Sequence, residues 1–196
     1  MPDTAIKVTD LVKIYDDVHA VDGISFKIEK GEVFAFLGPN GAGKTTTVEI
    51  IETIRKPTSG EVEILGYNIR RDKKEIIRKI GVLPQQFSSF DRITVRETVA
   101  YFSKLFGGGR DIDELVAMVG LSDEKDKWYM NLSGGLKQRL GIAVALVNDP
   151  DIVFLDEPTT GLDPRARRDT WEVIKTLKAE GKTVFLTTHY MEEAEV

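Results

Sequence analysis

The stretch Gly38-Pro39-Asn40-Gly41-Ala42-Gly43-Lys44-Thr45-Thr46 constrains this chain more than any other. It follows the apolar run 33–37, which reads as a buried strand, and precedes 47–54, which reads as a helix. A strand, a glycine-rich turn and Gly-Lys-Thr opening a helix form the context that a phosphate-binding loop requires. Glycines let successive N–H groups point inward at one anion, and the helix N-terminus adds free N–H groups and partial positive charge. In such a loop Lys44 reaches the β- and γ-phosphates and the Thr45 hydroxyl ligates Mg²⁺. The alternative is a glycine-rich turn with no ligand, against which the flanking strand and helix argue.

Around that loop the pattern is mixed. Residues 5–14 and 24–28 alternate apolar and polar, so each strand has one wet face, and 61–65 alternates in the same way. The apolar runs 80–83, 152–155 and 183–187 read as strands of a buried sheet. Two exposed-face strands ahead of a buried parallel one suggest an antiparallel edge sheet beside an α/β core. Residues 72–79 read as a short charged helix with Ile76, Ile77 and Ile80 on one side. From Phe87 the alternation of strand and helix stops. Thr94-Val95-Arg96-Glu97 is a capping box that opens a helix to Leu105. Helices over 111–119 and 136–148 follow, with a polar irregular segment between them. Three helices without a strand read as a helical subdomain inserted into the core. A helix over 164–180 then separates the last two strands.

The chain of 196 residues is long enough to bury a real core, and 41% hydrophobic with 30% charged residues suits a globular protein. A net charge of −5 argues against a broad nucleic-acid footprint. The longest apolar run near a helix, 142–147, falls far short of a membrane span, and the first residues lack a signal-peptide pattern. These features predict a cytosolic chain. Cysteine is absent, which excludes disulfides and thiolate metal sites.

Asp156 and Glu157 end the apolar strand 152–155. In parallel sheets ligands bind outside the carboxyl end of the strands, where the phosphate loop also lies. Neighbouring strand residues point to opposite sides, so the two carboxylates are expected to do different jobs. Asp156 is placed to hold Mg²⁺, and Glu157 to face the γ-phosphate and position or deprotonate a water. His189, at the next strand's exit, is either a structural histidine or a donor to the transferred group. Tyr15 is either a strand-end tyrosine or an aromatic that stacks on adenine. Gln85, after the strand at 80–83, is weak by itself.

Leu132-Ser133-Gly134-Gly135-Leu136-Lys137-Gln138-Arg139 forms a second helix N-terminus suited to phosphate. Ser133 can cap the helix, and Gly134 and Gly135 leave room for an anion to approach. Because it belongs to the helical insertion, it is not expected to reach its own loop. A phosphate site split over two surfaces implies two chains, each completing the other's site.

The chain resembles the ATP-binding subunit of an ABC transporter over essentially its whole length. The order of motifs is the family's: phosphate loop, glutamine, Leu-Ser-Gly-Gly, acidic strand, Asp loop and histidine. The resemblance implies an α/β fold, a P-loop NTPase core with a mainly parallel sheet, an N-terminal antiparallel β subdomain and an inserted helical subdomain. It implies one ATPase domain, with residues 1–86 as β subdomain and loop core, 87–140 as insertion and 141–196 as resumed core. It also implies ATP and Mg²⁺ as ligands. Tyr15 matches the adenine-stacking aromatic, Gln85 the glutamine that contacts Mg²⁺ and senses the membrane partner, and Asp156 the metal-binding aspartate. Glu157 matches the catalytic base, Asp163 of Gly161-Leu162-Asp163 the loop coupling the two sites, and His189 the γ-phosphate residue. Implied partners are a second ATPase subunit, head-to-tail in a homodimer, and transmembrane permease subunits at the inner face of the cell membrane. No nucleic acid is expected.

The runs 140–150 and 187–195 look like the exporter branch that includes drug-resistance ATPases. Some of Phe87, Phe90 and Phe106, near the segment that meets the membrane partner in this family, are expected to form an exposed apolar patch. Family subunits continue past the histidine, so the end at Val196 is read as truncated. The alternative role is a soluble ABC ATPase in DNA repair, ribosome work or Fe–S assembly. Relatives of that kind carry inserted coiled coils, zinc modules or a second domain in the same chain. This sequence has no long heptads, no cysteines and only one such domain.

Overall fold

The two alternation patterns sort into two sheets. The structure is a computed structural model and describes residues 3–39 and 41–189. Strands β1 (Thr4–Tyr15) and β2 (Val18–Glu29) pair as an antiparallel hairpin, and β4 (Ser59–Ile64) and β5 (Tyr67–Asn68) extend it in the order β2-β1-β4-β5. β2 is longer than the alternating run 24–28, because its first half is held to β1 through several register shifts. The second sheet is wholly parallel, in the order β3 (Val33–Leu37), β8 (Thr183–Thr188), β7 (Ile152–Asp156), β6 (Ile80–Leu83). Edge position alone does not set burial, since β6 at the far edge is buried at three of its four residues. β7 and β8 lie inside and are buried nearly throughout, whereas β3 pairs on one side only and is half-buried.

Helices α1 (Lys44–Ile51), α2 (Lys73–Ile77), α3 (Val95–Phe106), α4 (Ile112–Met118), α5 (Gly134–Ala145) and α6 (Pro164–Ala179) complete the fold. Two cores flank the parallel sheet. One lies toward the antiparallel sheet and α1, where Phe26, Phe34, Phe36, Phe154 and Phe185 form a chain of ring contacts with centroids 5.4–6.5 Å apart. The other unites α3, α4, α5 and α6 against the opposite face.

The capping box at Thr94 has both of its bonds: Glu97 N–H donates to Thr94 Oγ1 and Thr94 N–H to Glu97 Oε2. The segment 121–131 holds two 3₁₀ turns rather than being wholly irregular. α2 ends earlier than the pattern suggests. Ile76 is buried and Ile80 belongs to β6, but Ile77 is 48% exposed, so the three isoleucines do not share one face. Among the described residues no helix is long and apolar enough to cross a membrane.

Candidate nucleotide site

Three chain reversals at the carboxyl end of the parallel sheet build one polar cavity of about 430 Å³. It is lined by the loop after β3 and the start of α1 (Gly41, Gly43, Lys44, Thr45, Thr46), by Gln85 after β6, and by Asp156 and Glu157 after β7. Gly41 and Gly43 have φ near +80°, the left-handed region that a side chain disfavours. At Gly43 a Cβ would also lie 2.1 Å from the Ala20 carbonyl oxygen, so the β1–β2 hairpin seals the loop from behind. α1 starts directly after Gly43, which leaves its first N–H groups facing the cavity. The Lys44 ammonium donates to the carbonyls of Gly38 and Pro39 at 2.5 and 2.9 Å, which holds its charge across the loop. Asn40 lies outside the described residues.

The acidic pair departs from simple strand alternation. β7 ends at Asp156, and Glu157 takes φ +48°, a left-handed conformation that is uncommon for a non-glycine residue. That turn brings both carboxylates to the same cavity instead of opposite faces of the sheet. Thr187 on β8 fixes them together. Its hydroxyl donates to Asp156 Oδ1 at 2.6 Å and accepts from the Glu157 N–H at 2.9 Å. Thr187 was not singled out from the sequence; the available signal was a polar residue inside an otherwise apolar buried strand. Glu157 Oε2 accepts from Gln85 Nε2 at 3.0 Å and from Thr160 Oγ1 at 3.1 Å. His189 Nδ1 stands 3.7 Å from Glu157 Oε1. Gln85, weak as a lone residue, therefore meets Glu157 and His189 in one cluster.

The donor set suits Mg²⁺ bound on phosphates. Among the described residues no three His, Cys, Asp or Glu side chains gather into a metal cage. Mg²⁺ keeps most of its shell from water and phosphate and takes one or two protein oxygens, and the exposed Thr45 hydroxyl and the Asp156 carboxylate stand at the same cavity.

Other expected site residues lie elsewhere. Tyr15 does not line the cavity; it ends β1 at 36% exposure with Lys13 and Arg55 cations 4.8 and 5.8 Å from its ring centre. Ser133, Gly134 and Gly135 are also outside the lining. Ser133 caps α5, its hydroxyl accepting from the Leu136 N–H at 3.4 Å. The two glycines do different jobs. Gly134 faces open space, but a Cβ on Gly135 would lie 2.6 Å from the Ala166 Cβ, so Gly135 is required for the packing of α5 on α6. Asp163 caps α6 by accepting from the Arg165 and Ala166 N–H groups, which hold its carboxyl below the usual range.

Comparison with known proteins assigns the family. The chain is 44% identical over 201 residues to a Nod factor export ATP-binding protein I of Paraburkholderia xenovorans (strain LB400), covering 100% of this chain and 66% of the relative. It is 40% identical over 200 residues to a daunorubicin resistance ATP-binding protein of Streptomyces coeruleorubidus, covering 100% of this chain and 63% of the relative. The chain thus spans less than two thirds of the length of either protein. Among solved structures, a dimeric bacterial ABC transporter cassette superposes with a TM-score of 0.84 at 32% identity, over 97% of this chain and 90% of that one. A post-hydrolysis cassette dimer bound to ADP and Pi superposes with a TM-score of 0.81 at 30% identity, over 96% and 90%. The family model described as ABC transporter matches residues 21–160. With its loop, acidic strand and capped Leu-Ser-Gly-Gly helix in that framework, the chain belongs to the ABC transporter family.

Proposed function

We propose that this chain is the ATP-binding and ATP-hydrolysing subunit of an ABC exporter, working as a head-to-tail dimer on separate membrane-spanning subunits. The observation that carries the reading is the meeting of Lys44, Thr45, Asp156, Gln85 and Glu157 on one polar cavity.

In this reading the N–H groups of 41–46 and the Lys44 ammonium bind the β- and γ-phosphates. Thr45, Asp156 and Gln85 hold Mg²⁺, which would neutralise charge developing on the phosphates. Glu157 orients the attacking water and takes its proton, and His189 donates to the γ-phosphate. Tyr15 stacks on adenine. Gly38, Pro39, Asn40, Gly41, Ala42, Gly43 and Thr46 complete the cradle, with Ser133, Gly134, Gly135 and Asp163 contributed across the dimer. The division 1–86, 87–140 and 141–196 describes the resulting lobes. The relatives named for Nod factor export and daunorubicin resistance support export as the direction.

An exposed apolar surface supports docking on a permease at the membrane's inner face. Phe90 and Phe106 are 59% and 56% exposed and lie among exposed Tyr101 and Leu105, while Phe87 turns inward against Phe102 and Tyr129. The test of mechanism is Glu157→Gln. It should bind ATP, lose turnover and accumulate as an ATP-bound dimer on size exclusion. Normal phosphate release by that variant would remove Glu157 from the role of base.

A further inference from the structure

A cavity of about 300 Å³ opens beside the exposed apolar surface, between the end of α1, α2, β6, the end of α3 and α5. Its walls are apolar, with Ile54, Ile77, Phe106 and Val144 among them, and three of these four are large side chains left about half exposed or more. Thr53, Lys73 and Asn148 also line it, and one acid stands among them. Glu52, which follows the last turn of α1, is only 8% exposed, and among the described residues no hydrogen bond or ion pair holds its carboxyl.

The charged groups that act on that carboxyl worsen its position. Glu49, one turn earlier on α1, and Asp156 at the end of β7 carry the same sign and both oppose its ionisation. Lys73 on α2 shares the cavity, but its ammonium donates to the Thr53 carbonyl at 2.7 Å. Burial and the two carboxylates push Glu52 up to about 8, so an empty cavity holds it neutral near pH 7. A buried acid without a partner in an apolar hollow is costly and is normally paired or hydrogen-bonded. A cation on an apolar stem would offset the repulsion from Asp156 and Glu49 and cover the apolar walls at the same time.

We propose that this cavity receives a lysine or arginine side chain of the docked permease segment, seated on Glu52 and flanked by apolar residues that pack on Ile54, Ile77 and Phe106. The inference rests on the permease-docking reading above and names the chemistry of the docked segment. A long cationic side chain fits both demands, since its methylenes cover apolar surface while its head meets a carboxylate. Glu52 does not line the nucleotide cavity, which leaves its carboxyl for this role.

The test uses the full chain in complex with the permease that co-purifies with it. Glu52→Gln keeps the shape and removes the charge, so its affinity for that permease should fall at least ten-fold, and Glu52→Lys should fall further. Disulfide cross-linking from Ile54→Cys to single-cysteine permease variants should map a segment that contains a Lys or Arg, and changing that residue to Glu should rescue Glu52→Lys. Melting temperature serves as the folding control, and Glu52→Gln should melt at or above the parent. Undiminished affinity of Glu52→Gln, or a cross-linked segment without Lys or Arg, would overturn the inference and leave docking intact. No cross-link from Ile54 or from Phe106→Cys would overturn the docking reading itself. A second measurement needs no permease. n-Butylguanidinium should bind the chain by NMR titration and lose that binding in Glu52→Gln, while uncharged n-butylurea should not bind; equal binding of the two would sink the proposal.

Discussion

Replacing Glu52 by glutamine should stabilise this protein, and by an amount that grows with pH. Burial is the main reason its carboxyl titrates near 8 instead of the ordinary 4.5, with Asp156 and Glu49 adding repulsion. Between those two values the folded chain keeps a proton that the unfolded chain has released. The folded state binds more protons there, so wild-type stability falls as pH rises through that window and levels off above about 8. At about 1.36 kcal/mol per pH unit, the loss is on the order of 3 kcal/mol by pH 7 and 5 kcal/mol by pH 9. Glutamine has no charge to suppress and keeps the shape, so the variant is free of this term. For a chain of this size each kcal/mol moves Tm by about 2–4 °C, which makes the expected gain at pH 7 on the order of 10 °C. Urea unfolding of both proteins at pH 5, 7 and 8.5 gives the difference directly, because every other titrating group is common to both. A difference that is small at pH 5 and widens to pH 8.5 is expected. A constant difference across that range would mean that Glu52 is charged in the folded chain and that the cavity already satisfies it.

Three further predictions follow from single contacts. Thr53, two residues past the end of α1, has φ +64° and a buried hydroxyl without a partner among the described residues, so Thr53→Gly removes about 1–2 kcal/mol of left-handed strain and an orphaned polar group against a smaller entropy cost; Tm should rise by a few degrees, and a fall would show that the threonine methyl packs better than its geometry suggests. Thr94→Ala deletes one side of the capping box at α3 and should cost about 1 kcal/mol in urea unfolding. Thr187→Val removes the hydroxyl that joins Asp156 to the Glu157 backbone; it should cost about 1–3 kcal/mol of stability and lower ATP turnover more than ATP binding, and unchanged turnover would show that the acidic pair needs no brace.

How much of this could be read beforehand depended on whether the signal was local. The loop 38–46 was legible because its geometry is set by its own glycines and by the elements either side. So was the opening of α3, because Thr94 and Glu97 satisfy one another without help from the rest of the chain. What escaped was settled by neighbours distant in sequence. Glu157 was expected to point away from Asp156, but the strand ends one residue earlier and a left-handed turn, stitched by Thr187 from a strand 30 residues on, brings it back. The second demand on Gly135, its close approach to Ala166 on α6, shows only in the packing of the two helices. β3 looked as buried as β7, yet it is only half-buried, and its place at an edge of the sheet shows only in the pairing order. Glu52 gave no signal at all. Next to Glu49 it reads as a solvated helix face, and only the packing of α1 against β6 and α5 hides it.

The position of Glu52 also bears on how docking could reach the nucleotide. Two rigid elements leave the cavity and arrive at the site. α1 begins at Lys44 on the nucleotide cavity and ends at Ile51, one residue before Glu52, and β6 lines the cavity with Ile80, Gly81 and Val82 before the chain reaches Gln85. Gln85 in turn donates to Glu157, whose own brace is Thr187. A side chain entering the cavity therefore meets the far end of the helix that carries Lys44 and the middle of the strand that delivers Gln85. Coupling between two sites requires contacts that differ between two states of a packed element. The Gln85–Glu157 hydrogen bond is the contact best placed to differ, since one partner follows a cavity strand and the other lines the nucleotide cavity. Because Gln85→Ala cuts this link while leaving the cavity and Glu52 in place, it should leave permease affinity intact and abolish the dependence of ATP turnover on the permease. If turnover in that variant still responds to the permease, the signal travels along α1 instead.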